Sequence, residues 1–167
     1  RFIETVEIRK DKNSHNPRFP VQTIIRPQSD DFHDYRGYAG RIAGGTFSAG
    51  DEVLVLPSML RSRIKSVDVF EKDIRTATAG DSVTVTLDDH IDISRGDLMV
   101  KPDDLPQSGQ DITLMVCWFN EKPLQPNGRY LVRNYSNDAG CIVKSVDFKV
   151  NVNTLRKETA DLTVKMN

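Results

Sequence analysis

Two short stretches set an imidazole among carboxylates: Asp88-Asp89-His90-Ile91-Asp92 and Asp30-Asp31-Phe32-His33-Asp34. Those are ligand types for a divalent metal. Neighbouring residues of an extended chain point to opposite sides, however, and both clusters fall where loops are expected, so solvated loop charge is the simpler reading. His15, in Lys12-Asn13-Ser14-His15-Asn16-Pro17, reads as ordinary connection. Cys117 and Cys141 stand in apolar contexts, Met115-Val116-Cys117-Trp118 and Cys141-Ile142-Val143, without a nearby His or basic neighbour to hold a thiolate. Both are expected as buried structural thiols.

Arg61, Arg63 and Lys65 alternate with Ser62, Ile64 and Ser66, which puts three positive charges on one face of a strand. Such a stripe suits nucleic acid phosphates or an acidic patch on a partner. It equally suits a solvated outer face. Motifs with a more specific chemistry are missing from these residues: no G-x-x-x-x-G-K-[ST] or G-x-G-x-x-G phosphate loop, no G-x-S-x-G elbow and no H-E-x-x-H pair occurs. Arg95-Gly96-Asp97 matches an adhesion tripeptide but reads as a turn.

The elements that must position these groups are strands. Val83, Val85 and Leu87 alternate with Ser82, Thr84 and Thr86, the period of a half-buried strand. From Ile142 to Val152 the even positions are apolar except Lys144, which predicts one long strand. Further strands are expected over 19–26, 38–43, 52–57, 61–70, 98–100, 112–119 and 129–135, and a short helix over 154–160. Ala49-Gly50-Asp51, Ala79-Gly80-Asp81 and Arg95-Gly96-Asp97 each precede an apolar run, and Asn127-Gly128 does the same before Tyr130-Leu131-Val132. Gly37, Gly40, Gly50, Gly80 and Gly96 are the glycines expected to hold turns or close approaches. Short strands separated by such turns point to an all-β barrel or sandwich.

Composition narrows the function classes. The 167 residues carry 23 Lys+Arg against 24 Asp+Glu, net −1, which argues against a generally basic nucleic-acid binder. No apolar run approaches a membrane span, no signal peptide opens the chain, and two cysteines make no disulfide framework. A cytoplasmic protein is expected. The polar, Pro-flanked stretch Lys101-Pro102-Asp103-Asp104-Leu105-Pro106-Gln107-Ser108-Gly109 has a linker composition. It separates residues 1–107, net −3, from residues 108–167, net +2.

The order of motifs carries a resemblance. Arg18-Phe19-Pro20-Val21-Gln22, Asp34-Tyr35-Arg36-Gly37-Tyr38-Ala39-Gly40, Gly50-Asp51-Glu52-Val53-Leu54-Val55-Leu56-Pro57-Ser58 and Ile91-Asp92-Ile93-Ser94-Arg95-Gly96-Asp97 resemble domain II of the translation-factor-like GTPases. Trp118-Phe119-Asn120-Glu121-Lys122-Pro123-Leu124 and Val150-Asn151-Val152-Asn153-Thr154-Leu155 are similar to the GTP-hydrolysing large-subunit family of assimilatory sulfate adenylyltransferase, and elongation factors share them poorly.

The resemblance implies the tail of a GTPase domain and a linker over 1–16, a domain II β-barrel over 17–103, a linker over 104–109, and the first part of a domain III β-barrel over 110–167. It implies coupling and docking barrels without catalytic residues or a cofactor or metal site of their own. GTP and magnesium would sit in a GTPase domain outside these residues. The implied partners are that domain and a small catalytic subunit, with the Arg61, Arg63 and Lys65 strand a partner-facing candidate. An incomplete second barrel would expose strand edges open to self-association. The competing readings are a domain II and III segment of an elongation factor holding aminoacyl-tRNA, and a β-barrel interaction domain unrelated to any GTPase.

Overall fold

The computed structural model describes residues 14–27, 35–69 and 72–166. Residues 1–13 of the implied GTPase tail and linker, and the Asp30–Asp34 cluster, lie outside these residues. In chain order the strands are β1 (Arg18–Ile25), β2 (Gly37–Arg41), β3 (Thr46–Ser48), β4 (Glu52–Leu56), β5 (Leu60–Val69), β6 (Lys72–Ile74), β7 (Thr76–Thr78), β8 (Ser82–Leu87), β9 (Leu98–Val100), β10 (Arg129–Asn134), β11 (Asn137–Ile142), β12 (Lys149–Val150) and β13 (Lys157–Glu158). The fold is all-β, and among the described residues no helix is long and apolar enough to cross a membrane.

The chain divides into two compact units. One runs to Pro106 and takes in 135–137; the other holds 107–134 and the chain from Asp138 onward. In the first, the strand order β4-β9-β1-β2-β8-β5 closes by antiparallel pairing of β5 with β4, giving a six-stranded barrel of the translation-factor domain II type. β6 extends beyond β5, and β3 pairs with β7. Closure leaves the six staves without a free edge.

Alternation decides what the barrel buries. Val83, Val85 and Leu87 of β8 point inward while Ser82, Thr84 and Thr86 do not. They meet Phe19, Val21, Tyr38, Phe47, Val53, Val55, Ile64, Val67, Ile93 and Met99 in one core, where the Phe19 and Phe47 rings pack edge to face at 6.2 Å. Burying side chains of this size contributes roughly 1.5–3 kcal/mol each. Leu54 and Val100 are buried as well and face each other across β4 and β9.

One tetrapeptide recurs at three seams. In Ser48-Ala49-Gly50-Asp51, Thr78-Ala79-Gly80-Asp81 and Ser94-Arg95-Gly96-Asp97, the aspartate carboxylate accepts the backbone N–H of the first residue at 2.8 Å. The aspartate N–H returns to that residue's carbonyl at 3.1, 3.0 and 3.1 Å respectively. Each glycine N–H then reaches a core residue of a distant segment: Gly50 to Ile64 and Gly80 to Ile42, both 2.8 Å, and Gly96 to Val21, 2.9 Å. Those same residues donate back to the carbonyls of Asp51, Asp81 and Asp97, all at 2.9 Å. The geometry requires a left-handed glycine, and Gly50, Gly80 and Gly96 have φ of +91°, +96° and +99°.

The second unit departs from the sequence pattern. Its described residues form two two-stranded pairings, β10 with β11 and β12 with β13, and no closed barrel. The strand expected over 112–119 makes no ladder, and Ile112, Leu114, Met115, Val116 and Phe119 are exposed. Alternation marks a face, but a strand also needs a partner for its backbone. The long strand expected from Ile142 to Val152 is also broken. β11 ends at Ile142, and Lys149–Val150 turns back on Lys157–Glu158. Asn151 causes that return: its side-chain oxygen accepts the N–H of Asn153 and of Thr154, both at 3.0 Å. This Asx turn, with Leu155 at φ +55°, replaces the helix expected over 154–160.

Candidate functional site

Strand β5 pairs with β4 over Leu60–Arg63 and with β8 over Ile64–Asp68, and one of its faces is turned to solvent. Ser62, Ile64 and Val67 turn inward, while Arg61, Arg63 and Lys65 are exposed together on the outside. Arg61 is ion-paired with Glu52 of β4 at 3.2 Å. The Arg63 guanidinium donates to the neutral Gly50 carbonyl at 3.2 Å. The stripe is therefore partly compensated at its β4 end.

Lys65 borders an open depression of about 300 Å³ lined also by Tyr35, Arg36, Tyr38, Ser66 and His90. Its polar groups are largely engaged within the barrel. Arg36 donates to the Ile91 carbonyl at 2.7 Å, and Tyr38 donates to the same oxygen at 3.1 Å. Burial pushes the Tyr38 phenol above its ordinary value against the opposing pull of Arg36; burial, with Asp68, does the same at Tyr35. In the Asp88-Asp89-His90 loop, Asp89 accepts the Ser62 hydroxyl at 2.8 Å, so this carboxylate caps the end of the barrel. Among the described residues no three His, Cys, Asp or Glu side chains gather into a metal-sized group.

Gly37 and Gly40 of β2 serve by close approach. A methyl group on Gly37 would lie 2.6 Å from Thr84 Cγ2, and one on Gly40 would overlap the Pro20 carbonyl oxygen. At Gly50 a methyl group would meet no atom within 4 Å, so only the backbone angle matters there.

The expectation of two buried thiols is corrected: Cys117 is exposed and Cys141 half-buried. Among the described residues Cys117 lies in a 112–119 stretch that joins no strand ladder, and Cys141 lies on the two-stranded pairing of β10 with β11. Trp118 is fixed beside it. Its indole N–H donates to the Lys122 carbonyl at 2.8 Å and its ring meets Tyr130 edge to face at 5.6 Å.

Sequence reasoning missed the tip of the β4–β5 hairpin, Pro57-Ser58-Met59-Leu60. Met59 is 55% exposed with φ +61°, and Leu60 is 41% exposed. The available signal was a pair of large apolar residues directly after Pro-Ser, at a place that favours turn formers.

This combination of barrel and turn chemistry has relatives. Sulfate adenylyltransferase subunit 1 of Shewanella oneidensis is 39% identical over 159 residues, covering 95% of this chain and 32% of that protein. The chain is similar to sulfate adenylyltransferase subunit 1. The bifunctional enzyme CysN/CysC of Rhodopirellula baltica is 37% identical over 166 residues, covering 99% of this chain and 25% of that protein. The chain thus spans about a third of the subunit 1 relatives it matches. Among solved structures, Sup35 complexed with GDP superposes with a TM-score of 0.69 at 12% identity, covering 99% of this chain and 40% of that one, a likeness of fold. A scan against protein-family models found no match.

Proposed function

We propose that these residues are the coupling and docking barrels of a GTP-hydrolysing sulfate adenylyltransferase subunit, and that they carry no catalytic group themselves. The observation that carries this reading is the 36–40% identity to subunit 1 proteins over more than nine-tenths of the chain. The fold likeness to translation factors fits the same superfamily and gives no separate support to tRNA binding. A near-neutral charge argues against that alternative.

In this reading a small catalytic subunit joins sulfate to ATP. A sulfate oxygen attacks the α-phosphorus, the bond to the β-phosphate oxygen breaks, and adenylyl sulfate and pyrophosphate result. Sulfate is a weak nucleophile and the mixed anhydride is high in energy, so the step runs uphill unless coupled. Hydrolysis of GTP to GDP and phosphate would supply the free energy in a GTPase domain elsewhere in the parent protein, where GTP and magnesium would bind. The barrels would pass on the nucleotide state through different affinities for the partner in the two states. The parent would work in the cytoplasm.

The test uses the full-length parent co-expressed with its small neighbouring subunit. Pyrophosphate release from ATP and sulfate is followed with and without GTP. Strong stimulation by GTP is expected; a well-folded complex without sulfate-dependent release would overturn the reading.

A further inference from the structure

The chain enters the barrel and leaves it at the same place. Strand β1 begins at Arg18, β9 ends at Val100, and these two residues are partners across the β1–β9 ladder. Phe19 and Met99, the next pair along, point into the core, so Arg18 and Val100 face outward. Val100 is nonetheless buried, and so is Leu54, its partner on β4. Leu54, Val100 and Arg18 thus form an outer row that solvent barely reaches.

The segments on either side of this row are tied to one another through Arg18. Its Nη1 donates to the Pro17 carbonyl of the entering chain and to the Asp104 carbonyl of the departing chain, both at 2.8 Å. Nη1 and Nη2 also meet the two Asp104 carboxylate oxygens, each at 3.3 Å. A guanidinium carries its donors in a rigid fork, so it cannot follow one segment outward without releasing the other. The departing chain is held at its near end as well. Its turn is closed by the Asp104 N–H on the Lys101 carbonyl at 3.1 Å, and Lys101 Nζ lies 3.1 Å from Asp51 Oδ2. Residues 101–104, whose composition reads as linker, are therefore a turn anchored at both ends. On the entry side, the Arg18 N–H donates to the Gly44 carbonyl at 3.0 Å and the Ala43 N–H to the Arg18 carbonyl at 2.9 Å.

We propose that Arg18 is a latch that makes the entry and the exit of the barrel one cooperative unit, so that residues 17–18 with 43–44 and residues 101–104 open together while the barrel stays closed. Such a unit carries a displacement on one side of the barrel directly to the other. The experiment is amide hydrogen exchange, read by mass spectrometry, on the folded full-length parent as wild type and as Lys101→Met. That change removes the ion pair to Asp51 and leaves every bond of Arg18 in place. Exchange at Asp104 should quicken about two- to five-fold, the worth of a partly exposed pair. It should quicken by the same factor at Arg18 and Ala43, with Val83 and Val85 of β8 unchanged. In an Arg18→Ala background, Lys101→Met should still act on Asp104 and no longer reach Ala43. Faster exchange at Asp104 alone in the single variant, no change at any of these amides, or a rise that spreads to β8 would each overturn the latch. An effect on Ala43 that survives Arg18→Ala would overturn it too.

Discussion

The Arg18 guanidinium, only 12% exposed, holds Asp104 by both backbone and side chain. Nη1 donates to the Asp104 carbonyl at 2.8 Å and Nη2 lies 3.3 Å from Oδ1. The first strand of the barrel thereby fixes the segment that follows the last. Arg18 also spans its own neighbour, donating to the Pro17 carbonyl at 2.8 Å.

Arg18→Ala should lower stability by about 1–2 kcal/mol, because the part-buried carbonyls of Pro17 and Asp104 lose their charged donor. Asp104→Asn should cost less than about 1 kcal/mol, since its carboxylate is one-third exposed and the bond to its backbone carbonyl survives. Urea midpoints of the two variants decide it. Equal losses would show that the ion pair, and not the backbone contact, matters.

Glycine substitutions should separate two kinds of cost. Gly50→Val loses more than about 1 kcal/mol through its backbone angle alone. Gly40→Ala should lose about 1–3 kcal/mol through overlap with the Pro20 carbonyl, with no unfavourable φ involved. Thermal unfolding reads both, and an unchanged Gly50→Val would remove the argument from φ.

The raised phenols of Tyr35 and Tyr38 have an alkaline consequence. Folding favours the neutral form, so the unfolded chain releases these protons first as pH rises through about 10. Their contribution to stability is present in full below that pH and is lost as pH climbs from there through the higher folded values. Absorbance titration of the four tyrosines should show a late component that Tyr38→Phe reduces. A single transition near pH 10 in the folded protein would contradict it.

Thiol labelling of the native protein should be unequal. Cys117 is exposed and Cys141 half-buried, so a bulky disulfide reagent should react with Cys117 first. Cys117→Ser should leave only the slower phase. Equal rates would place both thiols in similar surroundings.

The first unit was legible because its strands are paired. In β8, Val83, Val85 and Leu87 have neighbours on both sides, and the pleat turns their alternation directly into burial. Strands β3, β6 and β7 escaped because three residues such as Thr76-Ala77-Thr78 are too short to show a period. In the second unit the pattern misled. Leu114 and Val116 have the right spacing, but spacing does not supply a partner, and Asn151 redirects the chain by a local hydrogen bond that hydrophobic periodicity ignores. Met59 was overlooked because its significance lies in a backbone angle, which no residue pattern states.

The three Ser/Thr-x-Gly-Asp turns imply an order of assembly. Gly50 meets Ile64 about 14 positions away, Gly80 meets Ile42 about 38 away and Gly96 meets Val21 about 75 away. Closing the largest of these loops costs about 1.5 kcal/mol more chain entropy than closing the smallest. The hairpin around Gly50 should therefore form early and the Gly96 seam last. Asp51→Ala should mainly slow refolding, whereas Asp97→Ala should mainly hasten unfolding; the reverse in stopped-flow kinetics would refute this order. A single four-residue device would then serve both to start the barrel and to lock it.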